Sequence, residues 1–244
     1  MANSKMTIVI IGVAIIVIAV LVFIRNKPRN QGPIPKETVD QTVPDFPVGF
    51  GYKCMWFAVK TSDQQKIVTL FKIKNSSKCN WKVGIDKAYT GSVFITPTID
   101  GWTLACGLGL STGESKEGID EVKQILRILS KEFGEAQFFC TQRVVEYHCW
   151  IRATTGQVTR VYSYLGEQGE NIAIEGEPTE IEKQYRLVNT FSDEAKDEKY
   201  FGNKDLVTPD EEFIMKVAEH WSIDPTQLGN RKDLPLSLGL IGQR

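Results

Sequence analysis

Two histidines, five cysteines and a run of arginines and aromatic residues between positions 143 and 164 are the groups whose chemistry could carry a function. His148 lies in Glu146-Tyr147-His148-Cys149-Trp150. On a strand, Glu146, His148, Trp150 and Arg152 share one face while Tyr147, Cys149 and Ile151 share the other. Cys149 therefore points away from His148, and the adjacent pair cannot act as a thiol–imidazole couple. Cys140 is expected on a neighbouring strand, from which it could approach His148 across a hairpin. That is the one route to a membrane-tethered enzyme using Cys140 and His148, and it requires an electropositive, accessible thiol. His220 falls near the end of the last helix, where an imidazole serves the open carbonyls.

Other catalytic signatures are missing from the sequence. It has no H-E-x-x-H, no paired CxxC and no EF-hand loop, so neither a metal nor another cofactor is implied. Gly107-Leu108-Gly109-Leu110 carries part of a dinucleotide fingerprint, but it lacks the third glycine and follows a hairpin. Ser111 and Ser163 lie outside any G-x-S-x-G elbow.

The arginines and aromatics say more. Glu146, His148, Trp150 and Arg152 alternate on one expected strand and Arg160, Tyr162 and Tyr164 on the next, with Arg143 just ahead of the first. If the register aligns them they line one broad sheet face, with the composition of a protein-recognition surface. The same residues would equally suit a mixed core packed under helices and holding internal ion pairs.

The elements that position these residues follow from periodicity. A first strand is expected within Gly51–Lys60, and Ser62-x-x-Gln65 has capping-box spacing ahead of a short helix with Ile67, Leu70 and Phe71 on one face. Asp100-Gly101 between Val93-Phe94-Ile95 and Trp102-Thr103-Leu104 predicts a hairpin, because both turn positions need φ > 0. Ser111-x-x-Glu114 predicts the start of a helix carrying Ile119, Val122, Leu126, Leu129 and Phe133, ended by Gly134. Strands follow at 136–142, 144–153 and 157–165, with a shorter one at 171–175. A helix is expected from Thr179 into the low 180s, and loop over 192–205. Thr208-Pro209-Asp210-Glu211 opens a last helix that buries Phe213, Ile214, Val217, Ala218 and Trp221. Hairpin-linked strands with interspersed helices predict an α+β domain with a mainly antiparallel sheet.

Residues 6–24 are nineteen in a row without a charge, nearly all large and apolar. As a helix they cover roughly 28 Å, the thickness of a bilayer's hydrocarbon core. The run is long for a signal peptide and meets no small-x-small cleavage site, so a retained transmembrane helix is expected, preceded by a short tail at 1–5. Lys5 stands before it and Arg25, Lys27 and Arg29 after it. This asymmetry predicts a cytoplasmic domain, with the periplasm as the alternative. Cys54, Cys79, Cys106, Cys140 and Cys149 are odd in number and sit among apolar residues, as reduced buried thiols do. Five prolines mark residues 25–47 as a linker, 48–228 as the α+β domain and 229–244 as a loosely held tail. The chain has 29 basic and 30 acidic residues, and four of the basic ones precede residue 30. The remainder therefore holds 25 basic against 30 acidic. A domain of net charge −5 lacks the basic stripe that phosphates require, which speaks against nucleic acid as a partner.

Four segments, Asp100-Gly101-Trp102-Thr103-Leu104, Arg143-Val144-Val145-Glu146-Tyr147-His148, Tyr164-Leu165-Gly166-Glu167-Gln168-Gly169-Glu170 and Trp221-Ser222-Ile223-Asp224-Pro225, together resemble a group of uncharacterised bacterial proteins, some of them immunity-type. The resemblance spans about residues 50–228 and transfers no catalytic residue. It implies a toxin-neutralising domain, which the anchor would hold at the membrane. The sequence thus points first to a membrane-anchored, non-enzymatic protein-binding protein. A subunit or scaffold of a larger membrane complex is the alternative, and the lipid bilayer is the other expected partner, through residues 6–24.

Overall fold

The computed structural model describes residues 40–244. The expected transmembrane helix at 6–24 and the linker up to residue 39 lie outside the described residues. Among the described residues, no helix is long and apolar enough to cross a membrane.

Strand β1, Cys54–Val59, is buried at all six positions, because both faces of the sheet are covered. Helix α1, Gln64–Leu70, is capped by Asp63, whose carboxylate accepts from the Lys66 N–H at 2.8 Å. The expected cap, Ser62, lies one residue too early. Two elements that the periodicity missed come next. Strand β2, Lys74–Cys79, is exposed at five of its six positions and so has no apolar alternation to read. Helix α2, Trp81–Ala88, is held at its N-terminus by Asn80 and, across the chain, by Asp45, which accepts from the Trp81 and Lys82 N–H groups at 2.6 and 3.0 Å. Asn80 also donates to the carbonyls of Asp40 and Val43. Residues 40–47, expected as linker, are therefore integrated into the fold.

The hairpin around Asp100-Gly101 forms as expected, joining β3, Val93–Ile95, to β4, Thr103–Cys106. Asp100 and Gly101 take φ of 48° and 84°, the left-handed values a two-residue turn demands. Helix α3, Lys116–Phe133, starts four residues later than expected. Ser115 caps it by accepting from Gly118 N–H, while Ser111 bonds Glu121. Gly134, at φ 87°, ends it. Strands β5, Glu135–Gln142, β6, Tyr147–Thr154, β7, Gln157–Leu165, and β8, Glu170–Glu175, form a meander. The second of these begins at Tyr147 rather than Val144, because residues 143–146 make the turn and Glu146 sits at φ 51°.

The helix expected from Thr179 is one 3-10 turn at Glu182–Gln184, and two more such turns punctuate the expected 192–205 loop. Strands β9, Arg186–Leu187, and β10, Leu206–Val207, pair in parallel in a separate small ribbon. Helix α4, Glu211–Trp221, is capped by Asp210 rather than Thr208 and buries the five residues expected of it, with Met215 in addition. Strand β11, Gly239–Gln243, corrects the reading of 229–244 as a loose tail. It lies between β2 and β3, antiparallel to both.

The fold is α+β, with a nine-stranded antiparallel sheet in the order β2-β11-β3-β4-β1-β5-β6-β7-β8. Period-2 alternation gives the strands at the middle of the sheet two buried faces. Met55, Phe57, Phe138, Ile151 and Val161 point to one side, under α1 and α3. Trp56, Phe139, Trp150 and Tyr162 point to the other, under α2, α4 and the irregular chain from 176 to 207. The second side holds His148 and the alternating arginines and aromatics of β6 and β7.

Candidate binding cleft

The register of β6 and β7 brings the expected residues together. His148 stands opposite Tyr164, Trp150 opposite Tyr162 and Arg152 opposite Arg160. They share one face, but that face is covered. His148, Trp150, Arg160, Tyr162 and Tyr164 are all at least 96 % enclosed. Trp150 and Tyr162 stack with ring centroids 4.3 Å apart, and Phe213 of α4 packs on Trp150. Arg160 pairs with Glu182 at 2.7 Å inside the core, and the same carboxylate accepts from the Trp150 indole N–H. Arg152 pairs with Glu135 at 2.7 Å and lies over the Trp221 ring. The expected recognition surface is therefore a mixed aromatic and ionic core. Sequence alternation located the face, but its cover comes from the 176–207 segment, whose irregular course leaves no periodic trace.

The pairing of Cys140 with His148 does not form either. Cys140 stands opposite Cys149, and His148 opposite Thr141. Cys140 thus projects to the α3 side of the sheet and His148 to the α4 side. All five cysteines are buried and free. Burial pushes the Cys140 thiol well above its ordinary range and the Cys149 thiol up to about 12, so neither holds thiolate at neutral pH.

Three of the expected residues do meet at an open cleft, with His148 itself enclosed beneath it. Where β6 begins and α4 begins, Arg143, Glu146 and His148 line a cleft of about 420 Å³ with Thr208, Pro209, Asp210, Glu211 and Glu212. The sequence positions it simply. The turn at 143–146 ends the strand pairing, and Asp210 starts α4 opposite by accepting from the Phe213 N–H at 2.8 Å. Arg143 Nε reaches Glu211 Oε2 at 3.2 Å, and its guanidinium lies over the Tyr52 ring at 5.6 Å. The other oxygen, Glu211 Oε1, is enclosed and has no hydrogen-bond partner.

His148 forms the floor. Its Nδ1 is 3.1 Å from Thr141 Oγ1, and Nε2 takes no hydrogen bond from the described residues. Burial drives its pKa down to about 4, against the opposing pull of Asp210, so the ring is neutral at pH 7. The charges lining the cleft are then four carboxylates and one guanidinium. Among the described residues, no group of three or more His, Cys, Asp or Glu side chains is arranged to hold a metal ion. Apolar residues flank the opening: Val144 is 80 % exposed and Tyr52 42 %. Sequence reasoning found Glu146 and His148 by alternation, and Arg143 as a member of the run of arginines and aromatics. It missed Glu211 and Glu212 as site residues because first-turn acids are explained by the helix dipole alone.

In comparison with known proteins, no family model, no curated protein and no solved structure matches this chain.

Proposed function

We propose that this chain is a non-enzymatic protein-binding protein held at a membrane by residues 6–24, and that it acts as an immunity-type antagonist of a bacterial toxin. The observation that carries the reading is the open acidic cleft at the start of α4, with exposed Val144 and Tyr52 beside it. An exposed apolar rim beside unsatisfied polar groups suits a protein partner. The domain's acidic balance suits a basic one, since opposite charge speeds encounter. The enclosed thiols and the separation of Cys140 from His148 remove the geometry on which the enzyme reading depended. Three cations directly after the apolar segment support a cytoplasmic domain. Protease added to intact spheroplasts then spares the domain, whereas digestion places it outside.

The central test is affinity purification of the full chain, in mild detergent and low salt, from the membranes of its own host. A second protein is expected in near-equal amount and is released as salt rises, because charge pairing at an interface is screened. Recovery of the folded chain alone, or of binding indifferent to salt, overturns the reading. Recovery of several membrane subunits in fixed proportion favours the scaffold alternative.

A further inference from the structure

The cleft at the start of α4 leaves three observations unexplained by the fold. Glu211 Oε1 is shut away from solvent with no partner, although Oε2 of the same carboxylate is paired. A buried acceptor left bare is costly and marks a place where a donor is missing. His148 is 97 % enclosed and lines the cleft, yet its Nε2 has no hydrogen-bond partner among the described residues. Glu146 and Glu212 add two further carboxylates with no hydrogen-bond partner among the described residues. The helix N-terminus would ordinarily favour an anion there, but Asp210, Glu211 and Glu212 already occupy its first turn. With Arg143 as the only cation among these side chains, a further anion is repelled.

We infer that the cleft is a receptor for one guanidinium group, the side chain of an arginine presented by the partner protein. The inference rests on the protein-binding reading above. A guanidinium is planar and offers five donors in a fixed fork, which suits several carboxylate oxygens set around one cavity. One edge pairs with Glu211 once its carboxylate turns, since Oε1 as it stands is closed to solvent, and the other edge reaches Glu146 or Glu212. With the His148 Nδ1–H donating to Thr141 Oγ1, the Nε2 lone pair faces the ligand and accepts from it. Arg143 stays on the Tyr52 ring and closes one side. The aliphatic stem of the incoming arginine then lies toward Pro209 and Val144. The volume, about 420 Å³, falls in the range of ordinary ligand pockets.

The test uses the full chain in detergent micelles with its histidines labelled with ¹⁵N, titrated with N-acetyl-arginine methylamide. Saturable binding is expected, with Nε2 of His148 moving to the shift of an acceptor nitrogen. The matched citrulline compound, which has the same shape without the charge, should not bind. Glu211→Gln should weaken binding about tenfold or more, as expected for loss of a charge-assisted hydrogen bond. Glu212→Gln, farther from the core, provides a second variant should the first disturb folding, and a smaller weakening is expected. Equal response to arginine and citrulline, an Nε2 that stays protonated in the bound state, or full affinity in both variants overturns the inference. If the capped arginine fails while a salt-sensitive protein partner is captured, the guanidinium site falls and the protein-binding reading stands. If the capped arginine binds and no protein partner is captured, the partner-arginine inference falls together with that reading.

Discussion

The two faces of the sheet solve the same burial problem with different chemistry. On one face a single eighteen-residue helix, α3, lays Ile119, Val122, Leu126 and Leu129 over Phe138, Ile151 and Val161. Regular helix satisfies its own backbone, so the contact can be wholly apolar. On the other face, α2 and α4 are short and the chain from 176 to 207 is irregular, with backbone groups that no helix or ladder satisfies. Side chains from the sheet supply the bonds instead. Tyr162 donates to the Val188 carbonyl at 2.7 Å, and Arg160 donates to the carbonyls of Glu175 and Gly176. The cost is imperfect satisfaction: among the described residues, the enclosed polar side-chain atoms without partners, on Trp56, Trp81 and Glu211, belong to elements of this side. The cleft lies on this side, where polar groups reach the interior.

The sharpest way to break the contrast is at Glu182. Its carboxylate accepts from Trp150 Nε1 at 2.9 Å, from Arg160 Nε and Nη2 at 2.8 and 2.7 Å, and from Thr179 N–H and Oγ1 at 2.8 and 2.7 Å. Glu182→Ala leaves a buried guanidinium unpaired and should cost about 4 kcal/mol in denaturant unfolding. Replacing Arg160 with Met and Glu182 with Leu together should return most of that loss, because the penalty lies in the unpaired charge. If the single variant unfolds at the same denaturant concentration as the parent, the network is not what holds the irregular cover.

The apolar face should behave differently. Leu126→Ala, at a fully buried position on α3, should cost about 3 kcal/mol through lost burial and a residual cavity. Leu126→Met should cost less than about 1.5 kcal/mol, since volume is nearly kept and no bond is broken. Comparable losses from the two would show that this face depends on shape as strictly as the other depends on pairing.

The smallest effect is in pH. An unfolded imidazole takes its proton near pH 6.5, whereas burial holds folded His148 down to about 4. Between those values the unfolded chain binds the extra proton, so stability falls as pH falls through that window and changes no further below it. About 2 kcal/mol is expected from this residue, after allowance for water in the cleft. The measure is the difference between parent and His148→Asn unfolding free energies, followed between about pH 7 and about pH 4. A difference that does not change with pH would show that the ring is as accessible to protons when folded as when unfolded.

What could be read from the sequence follows the same division. The strong periodicities of α3 and α4, the Asp100-Gly101 turn and the alternation within β6 and β7 were legible, because side-chain patterns on regular elements repeat, whereas the register between those two strands was not. The caps were displaced where two candidates stood close together. Asp63 superseded Ser62, Ser115 superseded Ser111, and Asp210 superseded Thr208, each because the later residue adjoins the first helical turn. β2 went unread because an edge strand with Lys74, Asn75, Ser76, Ser77 and Lys78 carries no apolar pattern. β11, Gly-Leu-Ile-Gly-Gln, went unread because glycine is a poor strand former. Burial of the Arg–aromatic face was illegible for a different reason. It depends on Glu182 reaching Arg160 and Trp150 from a segment distant in sequence, and no local pattern encodes that meeting.

The insertion of β11 between β2 and β3 has a consequence for the time course of synthesis. β2 pairs with β11 alone in the sheet, and about 160 residues separate the two in the chain. At about 5–20 residues per second a ribosome needs roughly 10–30 s to deliver the partner after β2 is made. Throughout that interval both edges of β2 are open to any other extended chain nearby. Lys74, Lys78 and the left-handed Asn75 at φ 53° make it a poor template for such pairing. The polarity that hides β2 from a sequence reader is thus also what protects the nascent chain while it waits.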